Sequence, residues 1–140
     1  MLDFGTAIDT CKEIKSDLPE CGNSLWSIEK FEISNEDRES FNLHEAISGM
    51  QGGSIRCVEP GTYTRLIRLP STTVMSDTTA ETRDLLPLAL DAKGEVLIAG
   101  LGLGIAIDLV MRDKDVKHVT VIEISQEIID LVGDHIKNKY

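Results

Sequence analysis

Gly100, Gly102 and Gly104 alternate with Leu101 and Leu103 at the end of one apolar run, and Glu123 follows 19 positions after Gly104 at the end of another. Glycines in such a loop admit positive φ and a close approach of ligand to backbone, because no Cβ stands in the way. An acid about 20 residues further on, where the next strand ends, is positioned to accept hydrogen bonds from both ribose hydroxyls. The combination predicts a nucleoside site made by Gly100, Leu101, Gly102, Gly104, Glu123 and its neighbour Ile124. Spacing narrows the nucleoside further. A dinucleotide fingerprint would require a third glycine where Ile105 stands, and no Gly-Lys-Ser/Thr follows to make a Walker loop.

The elements that position these residues read as strand, loop, helix, strand, helix. Glu95-Val96-Leu97-Ile98-Ala99 is a short continuous apolar run, as found in parallel strands covered on both faces. Ile105 to Met111 is spaced as a helix lying on a sheet. His118 to Glu123 is the second strand, and Ser125 opens a helix through Lys137 with Ile128, Ile129, Val132 and Ile136 on its apolar face. This predicts an α/β chain: the first half of a Rossmann-like doubly wound parallel sheet over residues 91 to 140, preceded by a small α+β region over 1 to 90.

In that first region, residues 1 to 24 predict a short helix or loosely attached arm ending near Leu18. Trp26 to Ile33 alternates as a strand with one irregularity. Ser34, followed by Glu36, Asp37 and Glu39, caps a helix that runs to Met50. Ser54 to Val58, Glu59-Pro60-Gly61 and Thr62 to Leu69 predict a β-hairpin. A helix follows over Glu81 to Leu90, capped by Thr78 or Thr79 and kinked or ended early by Pro87.

The G-x-G-x-G spacing resembles the first motif of class I S-adenosylmethionine-dependent transferases. Met75-Ser76-Asp77, Glu81 with Pro87-Leu88, the run Val96 to Gly104 and the strand end Val121-Ile122-Glu123-Ile124-Ser125 are similar to the matching run of spermidine synthases and their methyltransferase-like relatives. The resemblance covers roughly residues 60 to 135. It implies S-adenosylmethionine or S-adenosylhomocysteine as the ligand, and methyl or aminopropyl transfer as the reaction of an enzyme of this kind. It also implies that Asp77 and Glu81 lie near the ligand's amino group or an acceptor amine. Leu103 stands where spermidine synthases have aspartate between the glycines, and Ser125 where they have aspartate after Glu-Ile. The family's catalytic residues follow its third and fourth strands, beyond the second helix, which implies binding without turnover for this chain. Catalysis is therefore unassigned, with Asp77, Glu81 and Tyr63 as candidates. The alternative is a non-catalytic relative acting as a nucleoside-binding or protein-interaction module.

Residue types taken singly also have plainer readings. Asp77 and Glu81 read equally as an N-cap and a first-turn helix acid. Tyr63 and Arg65 sit on a strand face that reads as solvated. His44, His118 and His135 share no ligand spacing, and Cys11, Cys21 and Cys57 form no CxxC pair, so no metal site is expected and the cysteines read as reduced, buried thiols.

The 140 residues suffice for one domain with a modest core. With 24 acids against 14 bases the net charge is -10, a field that repels nucleic acid and anionic lipid surfaces. The first 50 residues hold 11 of those acids and 4 of the bases. No signal peptide or membrane span is legible, which predicts a cytoplasmic protein. Two parallel strands leave one flank of the first bare, so N-terminal strands, a second copy in a homo-oligomer, a partner, or a continuation of the natural protein beyond this sequence is expected to complete the sheet.

Overall fold

A computed structural model of the chain describes residues 4–50 and 58–140. In chain order the elements are α1 (Phe4–Glu13), β1 (Cys21–Gly22), β2 (Trp26–Ile33), α2 (Asn35–Met50), β3 (Gly61–Arg68), β4 (Thr72–Ser76), α3 (Thr79–Asp84), α4 (Leu86–Asp91), β5 (Gly94–Ala99), α5 (Ile105–Val110) and β6 (Val116–Ile122). A continuous helical run ends the chain: α6 (Gln126–Ile128), a π-helical turn over Ile129–Gly133, and α7 (Asp134–Lys139). The fold is mixed α/β, with an antiparallel sheet in the order β1-β2-β3-β4 and a separate parallel pair, β5-β6.

The region before residue 90 corrects three sequence expectations. β2 pairs with β3 residue by residue from Trp26↔Arg68 to Ile33↔Gly61, without the expected irregularity. The change of apolar phase along β2 arises because its two faces are covered at different ends. Ile28 and its partner Leu66 lie in the core, whereas Phe31 and its partner Tyr63 stack on the opposite face with ring centroids 5.8 Å apart. β3 forms a different hairpin from the expected one: it turns onto β4, in the Thr-rich stretch, with a register shift between Leu66 and Ile67. The other arm expected for it, residues 54 to 57, falls outside the described residues.

The third correction concerns the N-terminal segment. The helix is present as α1, but the chain beyond it is no loose arm: Cys11, Ile14 and Leu18 are almost fully buried. α1 packs on α3 and α4, and Ser16 is tied by its backbone N–H to Asp77. Cys11, Ile14 and Leu18 keep the spacing of one helix face, but α1 ends at Glu13, and Ile14 and Leu18 are drawn into the core from the irregular chain after it.

Other local signals act as their chemistry dictates. Ser34 Oγ accepts from the Asp37 N–H at 3.1 Å while Asp37 accepts from the Ser34 N–H at 3.2 Å, a reciprocal cap at the start of α2. Pro87 divides the expected helix: α3 stops at Asp84, and α4 restarts with the proline in its first turn, where its missing N–H costs no hydrogen bond. A single buried cluster runs from Cys11, Ile14, Leu18, Ile28 and Leu66 through Leu86 and Ala89 to Ile98, Leu103, Ile105, Leu109, Val132 and Ile136. It joins the region before residue 90 to the one after it.

Within the parallel pair, Val96, Ile98, Val119 and Val121 face this core. The opposite face is open, with Leu97 62 % and Ile122 60 % exposed. Helices therefore cover one face of the pair and not both, and among the described residues the antiparallel sheet does not pair with β5. No helix among the described residues is long and apolar enough to cross a membrane.

Candidate functional site

β5 delivers the glycine loop to the same end of the sheet at which β6 delivers Glu123, because the two strands run parallel in the register Ala99↔Ile122. The turn is closed by the Gly100 N–H, which donates to Ile122 O at 2.7 Å. Gly100, Gly102 and Gly104 all have positive φ, at 95°, 50° and 79°. Only glycine takes such angles without strain. Their surroundings differ. A Cβ on Gly100 would meet nothing within 4 Å; one on Gly102 would run into Met75 Sδ, and one on Gly104 into Ile136 Cδ1. The space in front of Gly102 is thus filled by the protein's own methionine, contrary to the expectation that this glycine clears room for a ligand. Gly100 is the position whose main chain stands open.

The Glu123 carboxylate bridges the loop to the next helix. Oε2 accepts from the Leu101 N–H at 2.7 Å and Oε1 from the Ser125 N–H at 2.8 Å. The acid is half-buried, Leu101 is buried, and Ile124 beside it is 100 % exposed. Ser125 caps α6, its Oγ accepting from the Ile128 N–H at 3.4 Å and from the indole Nε1–H of Trp26 at 3.2 Å. Asn23 Nδ2 donates to Glu127 O at 3.1 Å, so the turn before β2 braces the segment that follows Glu123. Spacing in the sequence could not reveal these braces, since about a hundred residues separate the partners. Met75 makes a third contact, over 28 residues: its sulfur accepts from the Leu103 N–H at 3.3 Å.

The three catalytic candidates are occupied elsewhere. Asp77 is 1 % exposed and accepts from the backbone N–H of Ser16 at 2.8 Å and of Thr64 at 2.6 Å. It is a clamp between the segment after α1 and β3, and the N-cap of α3 is its neighbour Thr78. Glu81 accepts from the Ser76 N–H at 2.7 Å and from Ser76 Oγ at 3.0 Å, tying α3 to the end of β4. Tyr63 is buried, its hydroxyl donating to Glu59 O at 2.6 Å and its ring lying 3.2 Å from Lys15 Nζ. The solvated face expected for Tyr63 and Arg65 is thus a half-covered one.

Burial pushes the Tyr63 phenol above its usual range. It also draws the Lys15 ammonium below its own, against the opposing pull of the Asp77 charge. Glu81 lines a pocket of about 210 Å3 with Phe31, Phe41, Val58, Arg65 and Ser76, and none of the glycine-loop residues lines it.

A larger groove, of about 640 Å3, begins at Leu101 and Glu123 and runs between α5, β6 and α7. His118 lines it; His135 pairs with Asp17 at 2.8 Å, and the side chain of His44 falls outside the described residues. Burial raises the Cys11 thiol above its ordinary pKa, against the lowering charge of Arg83, and raises that of Cys21. Among the described residues no group of three or more His, Cys, Asp or Glu could hold a metal ion. Comparison with protein-family models, with curated proteins and with solved structures finds no match for the chain.

Proposed function

We propose that the chain binds S-adenosylmethionine or S-adenosylhomocysteine at Gly100 to Gly104 and Glu123. In this reading β5 to α7 form the first half of a Rossmann-like doubly wound sheet of the class I transferase and spermidine synthase-like kind. The observation that supports it best is the short contact between Glu123 Oε2 and the Leu101 N–H. It brings a ribose-directed acid and the glycine-loop backbone to one point. Each carboxylate oxygen has a second lone pair, so ribose hydroxyls can add to the two N–H donors already on Glu123 without displacing them.

A transferase built on this site would place an acceptor nucleophile in line behind the carbon attached to the sulfonium, drawing its rate from positioning and from a dry, electrostatically suited site. A base would matter only for a protonated acceptor. A second reading, a nucleoside-binding or protein-interaction module without catalysis, is favoured by the internal hydrogen bonds of Asp77, Glu81 and Tyr63. The open apolar face of Leu97 and Ile122, with Ile124 at its end, is what a second copy or a partner would cover in that case.

Titration calorimetry with S-adenosylmethionine, S-adenosylhomocysteine and NAD tests the choice. The first two should bind more tightly than NAD, and Glu123→Ala should weaken them by about 1 to 3 kcal/mol, the effect of losing a charged hydrogen-bond partner. Equal affinity in the variant would remove the ribose role of Glu123. No heat with any of the three would leave the interaction module.

A further inference from the structure

On the face of the antiparallel sheet that carries Phe31 and Tyr63, three residues lie in a row: Glu29, Arg65 and Ser76, paired across β2, β3 and β4. Arg65 Nη2 donates to Glu29 Oε2 at 3.0 Å, and the guanidinium carbon lies 5.4 Å from the centroid of the Phe31 ring. Glu81, from α3, holds Ser76 by its N–H at 2.7 Å and by its Oγ at 3.0 Å. A cation on β3 and an anion on α3 thus both adjoin Ser76, and among the described residues the cation pairs with Glu29 and not with Glu81.

Both charges line the pocket of about 210 Å3, whose other walls are apolar, chiefly Phe31, Ile33, Phe41 and Val58. The far wall is fastened. Asn42, next to Phe41 on α2, donates Nδ2 to Val58 O at 3.4 Å and accepts from the Val58 N–H at 3.1 Å. Arg65 is left short of acceptors. Its Nε is the one buried side-chain nitrogen or oxygen among the described residues without a hydrogen-bond partner, and Glu29 takes a single nitrogen of a fork that carries five N–H donors. A donor left open in this way is costly and calls for an acceptor from outside. Each Glu81 oxygen, with one donor on it among the described residues, keeps a lone pair for a further one.

We propose that this pocket binds a free apolar α-amino acid of leucine size, its carboxylate on Arg65, its ammonium on Glu81 and its side chain against Phe31, Phe41 and Val58. A carboxylate without an amine would meet Arg65 but stand beside the Glu81 charge, and an amine without a carboxylate would stand beside Arg65. An α-amino acid carries both charges on one carbon, as the pocket carries both around one serine, and each gains a charge-assisted hydrogen bond. The volume falls below the about 300 to 1,000 Å3 of sites for drug-sized ligands, which suits a single amino acid. The pocket shares no residue with Gly100 to Gly104 or Glu123, so the proposal does not rest on the nucleoside reading.

The test is titration calorimetry of the full chain with L-leucine, beside 4-methylpentanoate, 3-methylbutylamine and glycine, which lack in turn the amine, the carboxylate and the apolar side chain. Leucine should bind, and each of the others should bind weaker by about tenfold or more. Arg65→Met and Glu81→Gln should each weaken leucine by about tenfold or more, while Glu81→Gln should leave 4-methylpentanoate no weaker, since it removes a like charge. Gln at this position keeps an acceptor for the Ser76 N–H, and circular dichroism checks that both variants fold. Phe41→Ala, at a half-exposed position of α2, should weaken leucine and leave glycine unchanged. Absence of leucine binding, equal affinity for 4-methylpentanoate, or indifference to both charge changes would overturn the proposal. Glu123→Ala should leave leucine affinity unchanged, so failure here and failure of the nucleoside site are read from different variants.

Discussion

In the antiparallel region Asp77 is 1 % exposed and its two oxygens take two backbone N–H groups from segments far apart in sequence. In the parallel pair Glu123 also takes two backbone N–H groups, but it is half-buried, its donors lie on the loop and on the following cap, and it borders an open groove. Similar hydrogen bonding therefore serves different ends. An acid sealed between elements has no path to a ligand, whereas one at the mouth of a groove can accept further donors from a solute. The comparison separates carboxylates that hold the fold from one that is free to meet a solute.

Removal of Asp77 should have the largest effect. Asp77→Ala should destabilise the chain by about 2 to 4 kcal/mol, because two N–H groups lose their acceptor inside the protein. Denaturant unfolding measures it, and a loss below about 1 kcal/mol would mean that water reaches the clamp. A variant still folded, such as Asp77→Asn, should keep its ligand affinity. If instead it abolished a measurable transfer reaction, the carboxylate would have to be reassigned to acceptor binding.

Next in size is Gly102→Ala, expected to cost about 2 kcal/mol. The left-handed backbone contributes about 1 to 2 kcal/mol of this, and displacement of Met75 adds to it. Adding Met75→Ala should lower the cost of the glycine change measured in that background. An unchanged cost would assign the whole effect to the backbone. Gly100→Ala, with open space before its Cβ, should affect ligand affinity more than the Met75 contact.

The exposed face gives a third test. The chain should sediment as a dimer or larger species at micromolar concentration, and Leu97→Lys with Ile122→Lys should raise the dissociation constant at least tenfold, since apolar area at a contact is replaced by charge. A monomer in both forms would show that this face meets neither a copy nor itself.

The smallest effect belongs to Asp17. Burial acts to raise its pKa, but the hydrogen bond with His135 and the charge of Lys139 prevail and hold the carboxyl below its usual value. A depressed acid contributes stability above its unfolded pKa of about 3.9, which is lost as pH falls through the lower folded value. Its side chain is 56 % exposed, so Asp17→Asn should cost no more than about 0.5 kcal/mol at pH 7. That difference should vanish in unfolding curves taken below the lowered folded pKa. A difference that persists there would arise from packing and not from charge.

The sequence made the loop elements legible because their determinants are local. Glycines at 100, 102 and 104 demand a turn, Ser34 with Asp37 closes a cap, and Pro87 interrupts a helix, each within a few residues. What it hid was long-range. Ile14 and Leu18 stand at helical spacing, yet α1 ends at Glu13 and the two reach the core, at 2 % and 1 % exposure, from the chain after it. The partner of β3 could not be chosen between 54 to 58 and 72 to 76 from β-propensity alone, which is weak for a Thr-rich stretch read without its neighbours. For the site, the acid and the glycines were readable, but the filling of Gly102's space by Met75 was not, as nothing local marks a methionine as a lid.

Trp26 is the single tryptophan of the chain, and its indole N–H reaches Ser125, two residues beyond Glu123. That geometry places the protein's main fluorophore at the rim of the candidate site, with a polar acceptor on its ring nitrogen. Any movement of the Glu123–Ser125 turn would alter the solvation of the excited indole and with it the emission maximum. The chain thus carries a built-in optical reporter for its own loop, readable at low concentration and without a label.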